Sequence, residues 1–363
     1  MTNQQNASIL DDRSQLATID PDQALASAES LADQINQVWQ ERAQVRFENL
    51  DNTPIKNIVV AGMGGSALGA DVILHLFKDT LAVPLYINRD YQLPDFVDQN
   101  TLVVLSSYSG NTEETLACAK EAKIKQARIA VISAGGELSK IAQENHYPAF
   151  LIDAKFNPSQ QPRMAVAYSI MAFIVILSAA KLLDFDEHHL LEIIDLVNQR
   201  TEALKIENPQ EKNQAKLLAF LCLERRPILV GAEFLEGALH TACNQFNENA
   251  KIFADYKIIP EINHHLLEGL SFPKNNALNH FFIFFQSKLY HPRNHKRLEL
   301  TQQFLEKQGI DSILINLESE NKLTQVFELI TLTTFANIYL AFLENINPCP
   351  IPSVDWFKEQ LSK

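Results

Sequence analysis

Cysteine is sparse in this chain of 363 residues, and Cys118, Cys222, Cys243 and Cys349 stand far apart with no CxxC pair among them. That spacing indicates neither a zinc knuckle nor a disulfide framework and suits a reducing compartment. Basic residues are also in short supply. Thirty-one Lys and Arg face forty-four Asp and Glu, a net charge of -13 that repels polyphosphate and argues against a nucleic-acid partner. The opening MTNQQNASILDDRSQ lacks the basic and apolar regions of a secretion signal, so a cytoplasmic protein is expected. No short tandem repeat is present. Only one run, at residues 164–180, is uncharged over nearly the length of a membrane span. It stands alone at the short limit, between segments of α/β pattern, and predicts a helix buried all round between domains or subunits, with no membrane partner.

What is there reads as a folded α/β protein. Apolar residues make up 46% and charged residues 21%, near the globular average, and the length suits two domains. Residues 21–46 have a helical period, with Asp20 placed as an N-cap before Pro21. Short β-rich runs follow at 57–62, 83–88, 101–107 and 128–133, separated by stretches long enough for helices. Strand alternating with helix predicts a parallel sheet. A charged helix is expected at 187–205, a polar boundary at 206–214, then a second set of strands at 227–233, 280–286 and 311–318 and a closing helix at 324–344. The division is an N-terminal helical segment (1–50), a first α/β domain (51–160), linking helices (161–210), a second α/β domain (211–345) and a C-terminal tail (346–363). The similar order of the halves is compatible with duplication of one unit.

With a net negative charge, any phosphate must be held locally, by backbone N–H groups and a few placed side chains. The first strand runs into Gly62-Met63-Gly64-Gly65-Ser66-Ala67-Leu68-Gly69 and then a helical pattern. Small residues there let an anion approach the positive end of a helix. Gly62, Gly64 and Ala67 also satisfy a relaxed dinucleotide fingerprint, with Arg89 and Asp90 as candidate ribose or 2′-phosphate readers, which leaves an NADP-dependent oxidoreductase as a rival. The third strand ends in SSYSGNTEET (106–115) and again enters a helix. Ser107, Ser109 and Thr112, with Ser66 from the first loop, can surround a phosphate monoester with neutral donors. A simple N-cap explains one hydroxyl, not four in two loops.

These loops resemble the sugar isomerase (SIS) fold, and the chain as a whole resembles the bifunctional phosphoglucose/phosphomannose isomerase family. The resemblance rests on GMGGSALGAD (62–71), SSYSGNTEETL (106–116), QPRMA (161–165), NENAK (247–251), PEINHHLLEG (260–269) and NPCPIPSVDWFK (347–358). It implies two flavodoxin-like, parallel-sheet SIS subdomains with flanking and linking helices. It implies that Gly65, Ser66, Ser107, Ser109 and Thr112 bind the phosphate of a hexose, and that Glu248 moves a proton between C1 and C2 through a cis-enediolate. A carboxylate suits that shuttle, since it can accept the carbon-bound proton and return it to the neighbouring carbon. Arg163, by the same resemblance, faces the enediolate oxygens, where it stabilises charge that develops in the transition state.

His264 matches the histidine that the family assigns to opening the sugar ring from the neighbouring subunit, which implies a homodimer. His265 and Leu266 stand where Asn and Glu are usual. Lys358 matches a partner of that histidine in ring opening, and Asn347 and Cys349 replace the commoner Asp and Thr. The adjacent histidines do not converge on one ion, so no metal is expected, and the resemblance implies no cofactor. The expected activity is interconversion of fructose 6-phosphate with glucose 6-phosphate and mannose 6-phosphate. A non-catalytic SIS regulator that binds a phosphosugar, and an isomerase of another phosphosugar, remain the alternatives.

Overall fold

The computed structural model describes residues 10–47, 54–361 and 363. The first nine residues and the domain boundary expected at residue 51 lie outside the described residues.

Five strands, β1 (Asn57–Gly62), β2 (Leu85–Asn88), β3 (Thr101–Ser107), β4 (Arg128–Ser133) and β5 (Ala149–Leu151), form one sheet in the order β2-β1-β3-β4-β5. Four more, β6 (Arg226–Ala232), β7 (Asp255–Ile259), β8 (His280–Ser287) and β9 (Ser312–Leu317), form a second sheet in the order β7-β6-β8-β9. Every pairing is parallel. Helices cover both faces of a parallel sheet, so its central strands read as unbroken apolar runs rather than alternating ones. β3 is buried at all seven positions. Its side chains nonetheless sort by period two: Leu102 and Val104 join the main core with Ile58 and Val60, while Val103 and Leu105 join a smaller one with Val59 and Val131. The two sheets share the order second-first-third-fourth, which is what duplication of one unit would leave.

The N-terminal helical segment departs from expectation. A short helix, Arg13–Leu16, comes first, and the helix expected from Pro21 begins at Ala24 and breaks at Ser30 before resuming over Leu31–Gln40. Asp20 still serves the helix start, because its carboxylate accepts from the N–H groups of Ala24 and Leu25 at 2.7 and 2.9 Å. Two strands were not expected. β5 has three residues, and β7 reads DYKII, with polar residues on a half-buried edge.

The apolar run forms the helix Val166–Ala179, buried from Val166 to Leu177. Its principal neighbours are the helices Leu31–Gln40 and Gly65–Leu76, so it is buried within the N-terminal half rather than between domains. Among the described residues one helix, Lys322–Leu343, is long and apolar enough to cross a membrane, and it is wholly buried inside the fold.

The halves meet where the helix Gly65–Leu76 crosses the helix Glu236–Asn249. The crossing is close because of one glycine. A Cβ added to Gly237 would lie 2.3 Å from the backbone oxygen of Asp71, so even alanine forces the helices apart. This crossing matters because each helix carries one part of the site.

Candidate active site

In an open parallel sheet, ligands bind beyond the carboxyl ends of the strands where the strand order reverses. In the first sheet that point lies between β1 and β3, whose last paired residues are Gly62 and Ser106. Both serine loops leave the sheet there, and both enter helices at their N-termini, Gly65–Leu76 and Glu113–Ile124.

The hydroxyls are ordered by the two loops themselves. Ser66 Oγ accepts the N–H of Tyr108 at 2.8 Å, which ties the first loop to the second and leaves its own O–H to donate. Ser106 Oγ donates to the carbonyl of Ser66 at 2.7 Å. Ser107 Oγ and Thr112 Oγ1 are 2.8 Å apart, and Ser107 Oγ also accepts from Gly110 N. Thr112 occupies the N-cap position of its helix, yet its hydroxyl makes no capping bond. The capping role therefore does not account for it. Ser109 is exposed, with its Oγ accepting from Asn111 N at 3.3 Å. Gly110 holds φ at 71°, and a Cβ there would collide with the carbonyl of Gly135 at 1.8 Å, so the turn requires glycine.

Arg163 lies in the 3₁₀ turn Pro162–Met164, directly against the first loop: a Cβ on Gly65 would meet Arg163 N at 3.2 Å. Its side chain is 1% exposed, and its donors are directed at five acceptors. Nε donates to Asn249 Oδ1. Nη1 donates to Gln161 Oε1 at 2.9 Å and Glu248 Oε2 at 3.2 Å, and Nη2 to the carbonyls of Pro348 and Cys349 at 2.9 and 2.7 Å. Burial pushes Arg163 below its ordinary pKa, and the charge of Glu248 opposes that shift. A buried cation is tolerable only with partners of this kind.

Glu248 is on the last turn of Glu236–Asn249, with its side chain 30% exposed. Asn249, beside it, is fully buried and donates to Asn337 Oδ1 at 2.8 Å, while Gln245 donates to the carbonyl of Arg163 at 3.0 Å. The helix end is thus bonded both to the Arg163 turn and to Lys322–Leu343. Gly65, Ser66, Ser107, Thr112, Arg163 and Glu248 are carried by adjoining elements.

His264 and Lys358 are placed differently. His264 ends the 3₁₀ turn Glu261–His264 and is exposed; Lys358 is exposed on the helix Pro352–Leu361, which has no buried residue. Among the described residues neither is bonded to another of these site residues. The candidate ribose reader Arg89 is engaged elsewhere, donating to Asp71 at the helix crossing. Among the described residues no group of His, Cys, Asp and Glu side chains is arranged to hold a metal ion. A cleft of about 470 Å³ elsewhere is lined by Glu192, Asp195, Glu318 and Glu320 against the single cation Arg200, a negative balance that disfavours a phosphate.

Sequence reasoning passed over Gln161, Asn249 and Lys251. Each neighbours a residue that it did select. The signal for Lys251 was present: a lysine just past the end of a helix commonly bonds the last carbonyls.

Residues 53–180 match the SIS domain family, and residues 211–361 match the family described as the bacterial phospho-glucose isomerase C-terminal SIS domain. A bifunctional phosphoglucose/phosphomannose isomerase of Caldicellulosiruptor bescii is 30% identical over 343 residues, 93% of this chain and 98% of the relative. Another of that name, from Thermoplasma acidophilum, is 31% identical over 321 residues, 88% of this chain and 94% of the relative. Among solved structures, a hypothetical protein of Thermus thermophilus superposes with a TM-score of 0.75 at 17% identity, over 99% of this chain and 93% of that one, which shows the shared fold.

Proposed function

Because this chain belongs to the bifunctional phosphoglucose/phosphomannose isomerase family, we propose that it is an aldose-ketose isomerase interconverting fructose 6-phosphate with glucose 6-phosphate and mannose 6-phosphate. The reaction is internal to the substrate. As C1 and C2 exchange oxidation level through an enediolate, one proton leaves carbon and returns to its neighbour, so no external electron acceptor is needed.

In this reading Ser66, Ser107, Ser109 and Thr112, with Gly65 and the two helix N-termini, hold the phosphate. Glu248 then serves as the base over C1 and C2, and Arg163 balances the charge on the enediolate oxygens. The observation that carries the reading is the abutment of Gly65 on the backbone of Arg163, whose guanidinium pairs with Glu248 at 3.2 Å. Phosphate anchor and base are thereby fixed relative to each other.

His264 and Lys358 open the sugar ring, His264 being donated by the second subunit of a homodimer. The exposed helix Pro352–Leu361 supports this, since it leaves Trp356 62% and Phe357 56% exposed beside Lys358. Apolar surface of that size on one short helix calls for a cover. The four free, buried thiols suit a cytoplasmic setting.

Isomerisation in deuterium oxide tests the base. Deuterium should enter the product at the carbon that receives the proton, and Glu248→Gln should abolish both turnover and incorporation. Undiminished turnover in that variant would refute the assignment.

A further inference from the structure

The end of the helix Glu236–Asn249 is held by a second cation besides Arg163. Lys251 follows the helix in left-handed backbone, with φ at 56°. Its ammonium donates to the carbonyl of Glu248, to that of Asn249 at 3.4 Å and to that of Pro348 at 2.7 Å. The first two are carbonyls of the helix's last turn, which no residue further along the helix can satisfy. The third is the same oxygen that accepts from Arg163 Nη2 at 2.9 Å.

We propose that Lys251 is a positioning residue for the isomerisation: its ammonium ties the carboxylate-bearing end of the helix to the 348–349 segment and so fixes Glu248 against Arg163. The inference rests on Glu248 being the base. Lys251 donates to the backbone of Glu248 rather than to its carboxylate, so it acts through the position of the helix end.

Three carbonyls require three N–H donors, which an ammonium has and a neutral amine does not. The charged and titratable groups facing Lys251 are Arg163 from the 3₁₀ turn, Glu248 from the helix and the Cys349 thiol from the C-terminal segment. Burial of the Cys349 thiol pushes it up to about 12, so it stays neutral across the working range. Lys251 as a residue is exposed, but its ammonium is turned inward onto these carbonyls, and partial loss of hydration there, then the positive charge of Arg163, push it down to about 8. As pH rises through that value, one of the three bonds and the charge are lost together.

The test measures kcat and KM for fructose 6-phosphate across pH for wild type, Lys251→Met, Lys251→Arg and Glu248→Gln. Lys251→Met should lose about tenfold to a hundredfold in kcat, the scale of a misplaced catalytic group, with little change in KM. Lys251→Arg keeps a cation that does not titrate, so it should recover most of the rate and lose the alkaline decline near pH 8. A Lys251→Met enzyme with wild-type kcat, or a Lys251→Arg enzyme that keeps the wild-type decline, would overturn the proposal. Circular dichroism identifies a Lys251→Met chain that fails to fold, in which case the Lys251→Arg profile decides. Glu248→Gln separates the two ideas: if it stays active the base assignment is wrong, whereas if it alone is inactive only the role of Lys251 is.

Discussion

Arg163 and Glu248 are 85 residues apart in the chain and 3.2 Å apart at the site, where carboxylate and guanidinium form a pair with one wholly buried partner. Nε and Nη2 of Arg163 are committed to Asn249, Pro348 and Cys349, so Nη1 is the nitrogen that can exchange Gln161 or Glu248 for a substrate oxygen. The guanidinium is thus a strut of the fold, and under the proposed function it is also the donor to the enediolate oxygens.

Arg163→Met removes five donors and strands three buried acceptors, on Asn249, Pro348 and Cys349, so unfolding should be easier by about 3 kcal/mol and turnover should vanish. Arg163→Lys keeps the charge but supplies three donors where five are used. It should fold, and lose about a hundredfold in kcat, the scale of one missing oxyanion donor. Chemical denaturation and steady-state rates check both.

Ser66→Ala should weaken phosphosugar binding by about tenfold, the scale of a lost hydrogen bond to a charged group, and should raise KM more than it lowers kcat. Thr112→Val should act in the same direction. Titration with a non-isomerisable phosphosugar gives the affinities directly. Affinities unchanged in both variants would contradict the phosphate site.

Asp71 sits at the helix crossing, with His240 Nδ1 at 2.8 Å from its carboxylate and Arg89 on the same oxygen. Burial alone would raise Asp71, but the bonds from His240 and Arg89 outweigh it and hold the group below its ordinary 3.8. A depressed folded-state pKa stabilises above the unfolded value and loses that contribution as pH falls through the folded one. Thermal unfolding followed from about pH 5 down to pH 3 should therefore fall more steeply for wild type than for Asp71→Asn. Parallel curves would contradict this account of the crossing.

If His264 crosses the interface, mixing His264→Ala subunits with Glu248→Gln subunits creates one intact site per mixed dimer. Random exchange should restore roughly a quarter of wild-type activity, since half the dimers are mixed and each has one working site of two. If both residues serve the same subunit, the mixture stays inactive.

The legible parts of the sequence were those written locally. β1, β3 and β4 lie where expected because each is a continuous apolar run ending in a loop of small residues. β7 escaped notice because Asp255 and Lys257 interrupt its pattern on an edge strand, where half-burial tolerates them. The placing of the two serine loops together was readable because both follow strands and open helices. The pairing of Arg163 with Glu248 had no such signature, since it depends on the helix crossing at Gly237 and on the return of residues 348–349 after the last buried helix. Nor does periodicity report that Arg163 meets five acceptors. Family resemblance selected both residues; the structure brings them together.

The most direct test of the central claim follows the formation of glucose 6-phosphate and mannose 6-phosphate separately from fructose 6-phosphate, with wild type and Glu248→Gln side by side. Both aldoses should appear with wild type, and the variant should lose orders of magnitude in both rates together, because one base serves both products. Phosphosugar binding without either aldose, or a variant that keeps either rate, would contradict the account.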